Sequence, residues 1–230
     1  GLLVKYLVEK GKVPVLAVDA DSNANFNEVL GLKIQETLGD AREEMKKNVS
    51  IGMTKDVFME MKLEEAVIEA EGFDLIVMGR PEGAGCYCAA NTLLTKYLDR
   101  LMNNYSFVVI DNEAGMEHIS RLTTNNIDTL LIISDPSRRS IQSAERILEL
   151  TNELGLNIEN KFFIVNQVKE EQFNTIKKVV DGYKMDLRGI IPEDIQVRDF
   201  DLCGRPTTEL NTESNALKAA YQIFDGFLDQ

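Results

Sequence analysis

Short apolar runs alternate with helical segments along nearly the whole chain, and this alternation constrains the fold more than any other feature. Val13–Asp19 is a β-branched run that ends in Asp. Phe73–Met78, Phe107–Asp111, Thr129–Ser134, Phe162–Asn166 and Leu187–Ile191 are further runs of strand length. Between and beyond them, helical spacing recurs over Ile34–Val49 (with a break near Gly39), Val57–Glu71, Ala89–Met102, Pro136–Leu154, Glu171–Tyr183 and Leu217–Leu228. Strands separated by helices of this length form parallel βαβ units. Strands that are apolar throughout are covered on both faces. The expected architecture is therefore α/β: a doubly wound, mostly parallel sheet with helices on both faces, in a single domain over residues 1–230. No internal repeat, low-complexity tract or linker interrupts it.

Charge and cysteine content narrow the partners. Lys and Arg total 25 against 38 Asp and Glu, a net charge of −13. Such a chain repels phosphate backbones and anionic lipid heads, so neither nucleic acid nor a membrane is an expected partner. No apolar run reaches the roughly 18 residues that span a bilayer. Three cysteines are too few for a disulfide scaffold, and the expectation is a cytoplasmic protein with reduced thiols. The chain opens inside a helix, with Leu2, Leu3, Val4, Tyr6, Leu7 and Val8 at helical spacing and Gly11 as its stop.

Sheets of this kind bind ligands at the carboxyl ends of their strands. The residues found there are Asp19-Ala20-Asp21, Gly79 to Cys88, Asp111-Asn112-Glu113-Ala114-Gly115, Ser134-Asp135-Pro136-Ser137 and Asn166-Gln167. An Asp after a strand also serves to cap the next helix. Asp19, Asp21 and Asp111 together would repel one another unless a cation intervenes, and Mg²⁺ with phosphates meets that need. Cys86 and Cys88 flank Tyr87 after a glycine-rich turn. In extended backbone their thiols point the same way and can share one soft or borderline metal ion. Zn²⁺ wants four ligands, which two face-to-face copies would supply; core packing of both thiols is the other reading. His118 reads as a polar residue opening a helix, and Cys203 as core packing. Met53, Met59 and Met61 read as core filling, with Met61, Ala66 and Ile68 forming one apolar stripe. The acidic helix from Glu60 to Glu71 reads as a solvated face.

In this order, Val18-Asp19-Ala20-Asp21, Val109 to His118, Ser134-Asp135-Pro136-Ser137 and Ile191-Pro192-Glu193-Asp194 resemble the MinD/ParA/NifH class of dimeric P-loop ATPases. Within it, the Gly79–Cys88 and Asp111–His118 segments are similar to the CooC family, the carbon monoxide dehydrogenase maturation ATPases that deliver nickel. The resemblance implies ATP and Mg²⁺ as cofactors and a homodimer. It also implies Ni²⁺ (or Zn²⁺) held by Cys86 and Cys88 at the dimer interface, with the carbon monoxide dehydrogenase apo-enzyme as partner. Asp19 and Asp21 match the switch I region: Asp21 at the attacking water or γ-phosphate, Asp19 near Mg²⁺ or the P-loop lysine. Asp111 matches the Walker B aspartate, and Asn112, Glu113 and the residues to His118 match switch II. Asn166, followed by Gln167, matches the asparagine that recognises adenine. Pro192, Glu193 and Asp194 match the segment lying against the base. The family's first strand and its Lys-Gly-Gly-x-Gly-Lys-[Ser/Thr] loop have no counterpart from Gly1 onward. The expectation is a domain truncated at its N-terminus that on its own binds and hydrolyses ATP poorly or not at all. Two readings stand beside this one: a scaffold holding a structural Zn²⁺ through the same cysteines, and a MinD/ParA-like ATPase of another client.

Overall fold

The computed structural model describes all residues except 22, 48–54, 80–99, 116–125, 184 and 229–230. These form two compact units, Gly1–Glu113 with Arg205–Thr208, and Ala114–Gly204 with Glu209–Gln230.

In the first unit, helix α1 (Leu2–Glu9) turns through Gly11, at φ +68°, into strand β1 (Val15–Asp19). Every residue of β1 is buried. It runs parallel between β3 (Phe73–Val77) and β4 (Phe107–Asp111), with Asp19 level with both Val77 and Asp111. A two-residue strand, β2 (Ile68–Glu69), adds antiparallel to β3 and completes the order β2-β3-β1-β4. Alternate residues of β1 feed two cores, as the pleat requires. Leu16 and Val18 meet Leu38, Ala41, Leu63 and Ile76, from β3 and the helices α3 (Leu38–Lys47) and α4 (Lys55–Glu65). Ala17 faces the other way, toward Val4, Leu75, Val77 and the Phe26 and Leu30 side chains of α2 (Phe26–Leu30).

Helix α3 starts where a reciprocal cap permits. The Asp40 amide donates to Thr37 Oγ1 at 3.2 Å while the Thr37 amide donates to Asp40 Oδ2 at 3.0 Å. The expected helix from Ile34 therefore begins four residues later. The expected helix Val57–Glu71 stops at Glu65, because Ile68 and Glu69 pair with Leu75 and Asp74 instead. Met61 is 38% exposed, which corrects the stripe through Met61, Ala66 and Ile68. The buried face of α4 carries Phe58 and Leu63, and Ile68 lies in β2. Lys62 ties α4 to Glu44 of α3 at 2.8 Å, to Glu65 at 2.9 Å and to Glu36 at 3.4 Å.

The second unit holds three parallel strands in the order β5-β6-β7: Asn126–Ser134, Asn157–Val168 and Leu187–Pro192. Helices α5 (Arg138–Glu153) and α6 (Phe173–Val180) bury Ile141, Ala144, Ile176 and Val180 against Ile132, Phe163 and Val165. Helix α8 (Asn215–Leu228) lies along β7, where Gly189 leaves room for Ile223. Phe227 of α8 meets Phe162 of β6 at 5.2 Å between ring centres, and Arg188 stacks on the Phe162 ring. Strands β5 and β6 run further in the N-terminal direction than their apolar cores, and a short helix α7 (Ile195–Leu202) follows β7. The expected helix Ala89–Met102 lies outside the described residues except for its last turn.

Candidate functional site

Strands β3, β1 and β4 end at one level. The Met78 amide donates to the Asp19 carbonyl and the Ala20 amide to the Asp111 carbonyl, both at 2.8 Å. This pairing puts the side chains of Asp19, Asp21 and Asp111 at one sheet edge, as expected from the strand-end reading. Their roles differ. Asp19 is fully buried, and both its oxygens accept backbone amides: Oδ1 from Asp21 at 3.1 Å, Oδ2 from Phe26 at 2.9 Å. It thus closes the loop from Ala20 to Asn25 and receives the first amide of α2. Asp21 Oδ1 accepts the Asn23 amide at 2.8 Å, and Asp111 reaches solvent.

The three carboxylates feel one another. Burial pushes the Asp19 carboxyl above the usual carboxylate range, its two backbone amides pull it down, and the charges of Asp111 and Asp21 add to the rise. The protein atoms packed around Asp111 raise its carboxyl although its outer edge reaches solvent; the amino terminus of Gly1 pulls it down and Asp21 adds repulsion. Oxygen donors crowded in this way suit a hard divalent cation carrying retained waters. No group of three or more His, Cys, Asp or Glu among the described residues is arranged to hold a metal ion by itself. Of the three carboxylates, Asp111 is the most exposed. Asn112 lies exposed and Glu113 half-buried directly after β4.

In the second unit the expected base-recognition residues come together at the ends of β6 and β7. Val168 pairs with Pro192, and the Glu193 amide donates to the Val168 carbonyl at 2.9 Å. Between Val165 and Val168 the register slips, and Gln167 takes φ +58°, a left-handed conformation uncommon for a residue with a side chain. Asn166 Oδ1 holds that kink by accepting the Gln167 amide at 2.9 Å. Asp194 is engaged in structure. Its Oδ1 accepts the Gln196 amide at 2.8 Å, capping α7. Its Oδ2 accepts Ser214 Oγ at 2.8 Å and the Ala216 amide at 3.0 Å, at the start of α8.

Cys86, Cys88 and His118 lie outside the described residues, as does Met53. Cys203 is exposed at the end of α7, not packed in a core. The periodicity of α7 turns Phe200 inward instead. Sequence reasoning missed Thr207 and Thr208. Their hydroxyls meet the carbonyls of Val29 and Leu30, 178 positions earlier in the chain, and no local pattern announces that contact.

A family model, AAA_31, described as an AAA domain, matches residues 2–164, well over half of the chain. The chain belongs to the AAA_31 family. This AAA_31 member is 38% identical over 234 residues to an uncharacterized ATP-binding protein, MJ0685, of Methanocaldococcus jannaschii, covering all of this chain and 92% of the relative. It is 29% identical over 239 residues to the carbon monoxide dehydrogenase accessory protein CooC of Rhodospirillum rubrum, covering 96% of this chain and 89% of CooC. The fold matches a chain of the MinC:MinD cell division protein complex of Aquifex aeolicus with a TM-score of 0.73 at 22% identity, over all of this chain and 89% of that one. MinD of Pyrococcus horikoshii, solved with Mg-ADP, matches with a TM-score of 0.70 at 22% identity, over 98% and 88%. The doubly wound α/β architecture expected from the strand–helix alternation is thus the architecture of the AAA_31 chain. No helix among the described residues is long and apolar enough to cross a membrane.

Proposed function

We propose that the protein is an ATPase that carries nickel on Cys86 and Cys88 between two copies of itself and assists nickel insertion into carbon monoxide dehydrogenase. The observation that carries the ATPase part is the strand-end cluster: Asp21 and Asp111 stand at the ends of adjacent parallel strands, with Asp19 locking the loop that carries Asp21. Mg²⁺ bound with the nucleotide supplies charge neutralisation at the phosphates. Asp111 would hold that ion, and Asp21 would orient the attacking water at the γ-phosphate. Asp19, with both oxygens spent on backbone amides, fixes the position of Asp21. Asn166 and the Pro192–Asp194 backbone serve the adenine. Catalysis in such a site is positioning and charge stabilisation rather than covalent chemistry.

The nickel part is supported by the 29% identity to a carbon monoxide dehydrogenase accessory protein and by the Cys-x-Cys spacing. Two thiolates per chain become four in a homodimer, a soft donor set that takes Ni²⁺ or Zn²⁺. The likeness in fold to MinD favours a second reading, a MinD-like ATPase of another client whose cysteines hold structural zinc or pack in a core.

Native mass spectrometry of the reduced protein in its full natural sequence, mixed with Ni²⁺ and Mg-ATP, tests both. The expected species is a dimer with one metal and two nucleotides, and Cys86→Ser removes the metal while the nucleotides stay. Nucleotide without metal leaves the MinD-like reading; neither nucleotide nor metal defeats the ATPase assignment itself.

A further inference from the structure

Helix α2 has five residues, too few to hold its own shape in water. It is kept by what grips its ends. At the N-terminal end the Phe26 amide donates to Asp19 Oδ2 at 2.9 Å, and the same carboxylate accepts the Asp21 amide. At the C-terminal end Thr207 Oγ1 donates to the Val29 carbonyl at 3.1 Å, and Thr208 Oγ1 stands 3.5 Å from the Leu30 carbonyl. Lys5 Nζ of α1 donates to the Thr208 carbonyl at 2.8 Å and so pins the threonine segment in turn. Gly31, at φ +77°, ends the helix against the Pro206 ring. Between the two grips Phe26 and Leu30 are buried, and the helix is one short rod of roughly 7.5 Å at 1.5 Å per residue.

We propose that Thr207 is a positioning residue for the Asp21 loop, acting through α2 as a strut. The segment Arg205–Thr208 belongs to the first unit, although the residues before and after it in sequence belong to the second. It satisfies a carbonyl that a helix end leaves without an internal partner. Released from that hydroxyl, the rod loosens as a whole, and the loosening reaches the Asp19 carboxylate and the loop it closes. The inference rests on the reading that Asp21 acts at the phosphates of a nucleotide; the mechanical link is independent of it.

Amide hydrogen exchange on the protein in its full natural sequence separates the two. Thr207→Val keeps the shape and removes the hydroxyl; Thr207→Ser keeps the hydroxyl. In the valine variant the amides of Asp21 and Phe26, at the far end of α2, exchange roughly five-fold faster, as loss of one ordinary hydrogen bond dictates, and the serine variant restores them. The Ile141 amide of α5 serves as reference and stays unchanged. Acceleration confined to Gly31 and Leu32, no acceleration, or an equal acceleration at Ile141 overturns the strut. In parallel, kcat for Mg-ATP hydrolysis falls by about the same factor in Thr207→Val with KM within about two-fold, and recovers in Thr207→Ser. A wild-type protein that hydrolyses no ATP defeats the ATPase reading, while the exchange data still decide the strut.

Discussion

Three aspartates at one sheet edge look alike in the sequence and differ in every physical respect that matters. Asp19 is fully buried and acts as a cap, so its charge is spread over two amides. Asp111 stands exposed at the end of β4, where the atoms packed around it and the Asp21 charge raise its carboxyl. A carboxyl whose folded pKa lies above its unfolded value near 3.9 contributes stability below that value and loses it as the pH rises through the folded pKa. At neutral pH Asp111 therefore costs stability. Asp111→Asn is expected to melt at a higher temperature than the natural protein at pH 7, with the gap closing below about pH 3.9, where both side chains are neutral. It is also expected to lose Mg²⁺-dependent nucleotide binding. Melting curves across that range check the first point; a gap that is the same at every pH would refute it. Such a trade of stability for function is common where charge must be concentrated.

Single side chains also decide where elements begin. Asp194 starts two helices at once, α7 through Gln196 and α8 through Ser214 and Ala216. Burial by itself would raise its carboxyl, but the hydrogen bonds from Ala216, Ser214, Gln196 and Val197 outweigh it and hold the group below the usual range. Here the sign is the reverse of Asp111. The stabilisation is present above the unfolded pKa and is lost as the pH falls through the lower folded value. Loss of one helix cap costs about 0.5–2 kcal/mol, so Asp194→Ala, which uncaps two, is expected to cost roughly 1–3 kcal/mol at pH 7, measured by denaturant unfolding. A cost below that of a single cap would mean that Ser214 alone suffices for α8. The resemblance assigned Asp194 to the base-recognition segment; its capping role emerges only with the structure, because the helix it caps was not read in the sequence. Strand β2 shows the opposite case. Its two residues lie in a stretch with helical spacing, and only pairing with β3 makes them a strand. Helix α2 escaped the sequence reading because five residues carry too few apolar repeats to show a period, and α7 because Phe200 is buried while Ile195 and Leu202 are exposed, which leaves no apolar stripe.

The whole molecule carries a net charge of −13. Like charges spread over a compact surface repel, and salt screens them over about 10 Å at 0.1 M. The melting temperature is expected to rise by a few degrees between about 20 mM and 300 mM NaCl. A fall would show that exposed pairs such as Arg100 with Glu60 matter more than the overall repulsion. At this scale the chain's own pattern determined a great deal. Apolar runs placed β1 and β3 to β7, because strands buried in a sheet are rich in apolar residues, and the same pattern put the carboxylates at their ends. The division of labour among those carboxylates was decided only in three dimensions. Burial, the direction of an amide and the distance to a neighbouring charge depend on which strands lie side by side. So does the hold of Thr207 on α2, which joins residues 178 positions apart. Local sequence records which backbone a residue prefers; the company its side chain keeps is set by packing between distant segments.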